Sequence, residues 1–250
     1  MNISVLCAQD AYLELYPQSK IPADTNWPDQ GKSLEEALSN EGNLGLLLGP
    51  KSDVMDVDLD CLEVKALADL ILPKPIAQFD RGTADSGHYL YRATSFGPTK
   101  KFNGNGPKST LVELRGDGAQ TMIPPSIHPN GECLNFTEFN PDALEVEYSE
   151  LLKAVSFLAA CSEVAQIWVS GRRHELALSF SGLCLKQEVD PQLLVNIIQR
   201  ICKKTGDQEA QDRMNCVRTS VSKGSTPLIL RTSERAQGRK RSALHHPFVV

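Results

Sequence analysis

The run VMDVDLD, Val54 to Asp60, places an aspartate at every second position of an otherwise apolar stretch. Strand side chains alternate faces with period two, so Asp56, Asp58 and Asp60 share one face and Val57 and Leu59 the other. LGLLLG before the run and the amphipathic CLEVKALADLIL after it predict that this strand is central. Carboxylates crowded on a central strand repel one another unless cations lie against them. Hard oxygens at i and i+2 suit Mg²⁺, as in phosphoryl-transfer sites; a solvent-facing charged strand is the plainer alternative. On the repulsion argument, Asp56→Ala or Asp58→Ala is expected to leave the fold intact or more stable.

The flanking sequence predicts a mixed α/β region ending near residue 145. KSLEEALSN reads as a short helix, LGLLLG and DVMDVDLD as strands, and CLEVKALADLIL as a helix stopped by Pro73. PIAQFD, GHYLYRA and TLVELRG read as further strands, with FGPTKKFNGNGPKS as a Gly/Pro/Lys loop between the last two. GAQTMIPPSIH reads as an extended segment with a Pro-Pro turn. From about residue 147 four stretches show helical spacing; in the second, Leu176, Phe180, Leu183 and Cys184 are expected on one face. The domains expected are 1–146, a helical module over 147–230 and a basic, disordered tail over 231–250.

Two other strands carry chemistry-bearing side chains. In DSGHYLYR, Ser86 and His88 share a face; in LVELRGDG, Glu113 and Arg115 do. Taken singly, each residue has an ordinary reading as packing or surface. The aspartate pair itself fits two chemistries: an aspartyl-phosphate phosphatase, or nucleotidyl transfer in which carboxylates only hold metals. The phosphatase lacks its further parts, a Thr or Ser after a later strand, a Lys and a late acidic pair.

VMDVDLDC, SGHYLYR and LVELRGDGAQTMIPPSIHPNGE, taken in that order, resemble the three motifs of the bifunctional primase/polymerase domain of phages and plasmids, in the archaeo-eukaryotic primase superfamily. KIP near the start and NLGLLLG resemble its lead-in, and the likeness covers about residues 15 to 140. The resemblance implies an α+β fold, with a mixed, largely antiparallel sheet as the catalytic domain and a small all-helical module after it. It implies a template-dependent nucleotidyltransferase with primase and polymerase activity. Asp56, Asp58 and Glu113 would hold two Mg²⁺ or Mn²⁺ ions, and His88 would face the phosphates of the nucleotide. Asp60 leaves the register open, since 58 and 60 form an equally spaced pair. Ser86, Arg115, Gln120, Ser126 and His128 are the expected nucleotide pocket. Lys100 and Lys101 are candidates for template or triphosphate contact, or a solvated basic loop. A catalytically silent nucleic-acid-binding accessory is the alternative from another class; an intact, repulsive acidic triad argues against it.

Charge is divided unevenly. Residues 161–250 carry 14 Lys and Arg against 8 Asp and Glu, whereas residues 1–160 carry 12 against 23. The split is either surface variation or a metal site beside a polyanion-binding region. In GRRHE, Arg172 and Arg173 either begin a phosphate-holding helix N-terminus or form solvated helix-end charge. The expected partners are a single-stranded DNA template, NTP or dNTP, and a separate helicase, because no GxxxxGK[ST] occurs. No apolar run approaches the ~20 residues of a bilayer span, and no membrane partner is expected. The seven cysteines form no CxxC pair, which argues against a disulfide framework or structural zinc and for a reducing cytoplasm.

Overall fold

A computed structural model describes residues 3–7, 10–39, 41–82, 85–104 and 110–223. Packing divides the chain into two units, Met1–Ser162 and Glu163–Val250. The tail expected over 231–250 lies outside the described residues.

The first unit contains two antiparallel sheets. The smaller is built from β1 (Tyr12–Leu15), β2 (Asn43–Leu47) and β8 (Gln120–Ile123), in the order β1-β2-β8. The larger contains β3 (Val54–Leu59), β4 (Ala77–Asp80), β5 (Gly87–Arg92), β6 (Lys100–Asn103), β7 (Thr110–Arg115) and β9 (Asn135–Phe139). Its order is β6-β7-β3-β5-β4-β9, every neighbour antiparallel. The aspartate strand β3 is therefore internal, and all six of its residues are buried.

Local sequence explains the punctuation. Ser33 and Glu36 form a reciprocal capping box at the start of α1 (Leu34–Leu38). α2 (Leu62–Ile71) buries the stripe Val64, Leu67, Ala68 and Ile71. It ends because Leu72 precedes Pro73 and is pushed to an extended conformation, ψ 148°. Between β2 and β3, Gly49 has φ +99°, and a Cβ there would meet Asp117 at 2.8 Å. Gly116, directly after β7, lets the backbones touch; a Cβ would lie 2.1 Å from the Gly97 carbonyl oxygen.

The core joins the two sheets. Tyr12, Leu13 and Leu15 of β1, Leu44, Leu46 and Leu47 of β2 and Met122 and Ile123 of β8 cluster with Ala77 and Phe79 of β4 and Leu90 of β5. Leu90 stands opposite Asp56 in the register, so this core continues the acidic face of the large sheet. The other face carries Met55, Val57, Leu59, Tyr91, Val112 and Leu114, all buried. The Tyr91 hydroxyl donates to the Pro73 carbonyl just beyond α2, at 3.0 Å.

Three strands escaped the sequence reading. β1 and β9 were not expected, and the loop expected at FGPTKKFNGNGPKS contains edge strand β6. Among the described residues β6 pairs with β7 alone, so it needs no hydrophobic alternation to pair.

α3 (Tyr148–Gln166) spans the division between units. The second unit contains α4 (Arg173–Lys186), α5 (Pro191–Thr205) and α6 (Ala210–Lys223). α5 follows its sequence closely: Asp190 caps it by accepting from the Leu193 amide at 2.7 Å, Pro191 opens it and left-handed Gly206 closes it. On α4 the buried stripe is Ala177, Phe180, Ser181 and Cys184. Leu183, expected on that face, is 60% exposed, because the packed stripe is centred one position away. The architecture is α+β with largely antiparallel sheets and a helical C-terminal region. Among the described residues, no helix is long and apolar enough to cross a membrane.

Candidate active site

Antiparallel pairing turns the period-two run into a cluster. Asp58 stands opposite His88 on β5 and opposite Glu113 on β7, while Asp56 stands opposite Arg115 on β7. Directly opposed residues point to the same face with Cβ atoms about 5 Å apart. Three separate segments thus deliver Asp56, Asp58, His88, Glu113 and Arg115 to one patch. Asp56, Asp58 and Glu113 are all buried.

Three cationic side chains bind this patch. His88 brings Nδ1 to 2.9 Å from Asp56 Oδ2 and Nε2 to 3.5 Å from Asp58 Oδ1. Its ring stacks on Phe79 with centroids 4.5 Å apart and planes 6° from parallel, which fixes its orientation. Arg115 touches all three carboxylates: Nη2 bonds Asp58, Nε lies 3.3 Å from Glu113 and Nη1 lies 3.7 Å from Asp56. Lys101 of β6 approaches the other Glu113 oxygen at 3.3 Å.

These contacts and burial shift the titration of His88, Asp56 and Arg115. Burial disfavours the charged imidazole, but Asp58 and Asp56 outweigh it and His88 is raised above the usual histidine range. Burial likewise opposes ionisation of Asp56, yet His88 and Arg115 pull it below the usual carboxylate range. Arg115 is raised further still: burial works against its charge, and Asp58, Asp56 and Glu113 prevail. Asp60, just past β3, behaves oppositely. Burial and then Asp58 push it up to about 6.

The sequence argument expected bound cations to relieve the aspartate repulsion. The protein's own Arg115, Lys101 and His88 already do so, and this reverses the expected stability of the alanine variants. Removing Asp56 or Asp58 strips a partner from a half-buried guanidinium and a half-buried imidazole.

The patch opens on a cavity whose lining mixes the acids Asp58, Asp60 and Asp80 with basic side chains. Asp58, Asp60, His88 and Arg115 form the acidic-strand side. Lys20, Arg81 and His128 line the same cavity, with Gln120, Thr121 and Met122 of β8 between. Lys20 is lowered from the ordinary lysine range, first by burial and then by Arg115 and Arg81, against the pull of Asp58. Its loop is tied down where the Gln120 side chain donates to the Lys20 carbonyl at 2.8 Å. Arg81 bonds the Ser86 hydroxyl at 2.9 Å and lies 3.3 Å from Glu132.

Of the expected pocket residues, Ser86, His88, Arg115, Gln120 and His128 line this cavity. Ser126 does not. It is buried against β2, where its hydroxyl donates to the Ile123 carbonyl and accepts from the Leu44 amide. Lys100 and Lys101 also part company: Lys101 shares the acidic face with Glu113, whereas Lys100 opposes Leu114 on the other face. Arg173 is drawn into the helical unit, bonding the Trp168 and Thr205 carbonyls at 3.3 Å and lying 3.5 Å from Asp207. It therefore offers no fork to a phosphate at the start of α4; Arg172, at the cap position, is exposed. The basic surplus of the second part is also concentrated late, since residues 224–250 hold 5 Lys and Arg against 1 Glu.

Lys20 and Arg81 were missed as site residues. Both sit on loops, where no periodicity marks a facing side chain; the only hint was Lys20 in the KIP lead-in.

The carboxylates suit a divalent cation in kind, being hard oxygen donors on adjacent strands. Arg115 lies on the cavity wall while Asp56 and Glu113, which it contacts, do not reach that wall. A cation entering from the cavity must displace this guanidinium to meet all three.

An internal acidic strand flanked by a histidine strand and a Glu/Arg strand, on a cavity also lined by Lys20, Arg81 and His128, defines a site of the phosphoryl-transfer class. The sequence profile described as bifunctional DNA primase/polymerase, N-terminal, matches residues 6–145, and the chain belongs to that family. It is thereby a nucleotidyltransferase of the primase/polymerase type. No curated protein matches the chain.

Proposed function

We propose that the protein is a template-dependent DNA primase and DNA polymerase acting in replication of phage or plasmid type. The observation that carries this reading is the register placing Asp58 between His88 and Glu113, on a cavity that Lys20 and Arg81 also line.

Asp56, Asp58 and Glu113 would hold Mg²⁺ or Mn²⁺, with Asp60 close enough to share the load. The ions, once bound, would activate the 3′-hydroxyl of the growing strand and neutralise the pyrophosphate that leaves. The chain's own contribution is positioning and charge. His88, anchored to Asp56 through Nδ1 and stacked on Phe79, would give its Nε2–H, 3.5 Å from Asp58, to the incoming phosphates once that carboxylate is engaged elsewhere. Lys20 and Arg81 would offer the triphosphate cationic partners, and Arg115, if released by the carboxylates, would pair with the same phosphates. Exposed Lys101 in the sheet unit would meet a template backbone, with a grip that weakens with salt; exposed Arg172 is a separate candidate within the helical unit.

Primer synthesis on single-stranded DNA tests this, with NTPs or dNTPs and with Mg²⁺ or Mn²⁺. Metal-dependent products from the wild type, absent with Asp58→Ala, support the reading. Template binding without synthesis under every condition would favour a silent accessory.

A further inference from the structure

A second cluster of ligand-type side chains lies within the helical unit. His174 is in the first turn of α4, and Asp212 and Cys216 are one turn apart on α6. Residues at i and i+4 present one helix face, so two ligands from α6 meet one from α4. His174 Nδ1 is 2.8 Å from Asp212 Oδ2 and 3.8 Å from Cys216 Sγ. One ligand atom from each residue lies within 4.8 Å of the others.

We propose that His174, Asp212 and Cys216 form a zinc site that clips α4 to α6. The donor set selects the ion class. An imidazole, a carboxylate and a thiolate together suit a borderline cation, and the sulfur disfavours Mg²⁺ or Ca²⁺. Tetrahedral zinc, with bonds of about 2.0 Å to N and O and 2.3 Å to S, separates its ligand atoms by about 3.3–3.6 Å. The 3.8 Å pair is already near that spacing. The 2.8 Å pair is hydrogen-bonded and opens by about half an ångström, within reach of exposed side chains. His174 and Asp212 have side chains 58% and 48% exposed, so the fourth position faces solvent and takes water.

Arg213 is the competitor, since it also bonds Asp212. It has other partners to retain: Asp207 at 3.1 Å, and Glu209. Cys216 donates to the Asp212 carbonyl at 3.4 Å; on metal binding its proton goes to solvent and the sulfur lone pair to zinc. The expectation against structural zinc rested on the lack of paired cysteines, and this site uses one.

The test is a cobalt(II) titration of the reduced, chelator-stripped full chain in excess Mg²⁺. Expected is a thiolate-to-cobalt charge-transfer band saturating at one equivalent and displaced by zinc. The band should be lost in Cys216→Ser, weakened at least about tenfold in affinity in His174→Gln, and kept in Cys61→Ser, whose thiol neighbours Asp60. No band in the wild type, or an undiminished band in Cys216→Ser or His174→Gln, overturns the proposal. Far-UV circular dichroism checks that the helices persist, and His174→Gln, on an exposed side chain, decides alone if Cys216→Ser unfolds.

Discussion

The two units each hold a buried ion network, balanced in opposite ways. In the helical unit, where Arg213 also bonds Glu209 and Asp212, the buried carboxylate Asp207 accepts from Arg213 at 3.1 Å, from Trp168 at 3.0 Å and from the Glu209 amide at 3.1 Å, with Arg173 at 3.5 Å. Donors are in excess there, and burial's resistance to ionisation is overcome, so Asp207 sits below the usual carboxylate range. In the sheet unit three carboxylates share Arg115, Lys101 and His88, and Asp60 adds a fourth acid at the cavity. A donor-rich closed knot fixes a fold. An acid-rich patch beside a cavity is held by contacts that can be exchanged for a ligand's.

The largest effect separating the two networks is on catalysis. Asp58→Ala should lower nucleotide incorporation by at least about a thousandfold, the loss of several kcal/mol of charge stabilisation. The same variant, metal-free, should be less stable by about 1–3 kcal/mol in denaturant melts, because Arg115 and His88 lose a partner. A rise in stability would restore the simple repulsion picture.

Asp207→Ala should act on stability alone and more strongly. Removing the buried acceptor that Arg213, Arg173 and the Trp168 indole share is expected to cost about 3–5 kcal/mol, read as early loss of helical signal. A negligible change would mean that the knot is ornamental and the comparison fails.

The smallest effect is pH-dependent and belongs to the sheet. Asp60 is raised to about 6 in the folded protein, so its favourable contribution is full below its unfolded value near 3.8. It is lost as pH rises through about 6. In chelator, Asp60→Asn should therefore gain stability at pH 7–8, by about 1 kcal/mol once solvent screening is allowed for, and gain little at pH 4. Equal gains at both would assign the effect to something other than ionisation.

Much of this site was legible because strand periodicity is strict. Alternation alone put Asp56 with Asp58, Ser86 with His88, and Glu113 with Arg115. It could not say which strands are neighbours, and that depends on packing far along the chain. Hence Arg115 was read as a pocket residue and not as the counter-charge that three carboxylates share. Lys101 was assigned to a loop because edge strand β6 carries no buried alternation. Ser126 looked like a ligand-facing hydroxyl, but a small buried hydroxyl in a turn serves backbone groups as readily. On α4 the helical period was right and its phase was off by one residue, which exposed Leu183.

The central claim is that Arg115 stands in for a divalent cation among Asp56, Asp58 and Glu113. Mn²⁺ binding to the full chain, followed by the loss of the free-ion electron paramagnetic resonance signal, measures this directly in the wild type and in Arg115→Met. Removal of the competing guanidinium should tighten Mn²⁺ about tenfold, equivalent to roughly 1.4 kcal/mol, and Asp58→Ala should abolish the tight site. Unchanged or weaker binding in Arg115→Met would contradict the exchange.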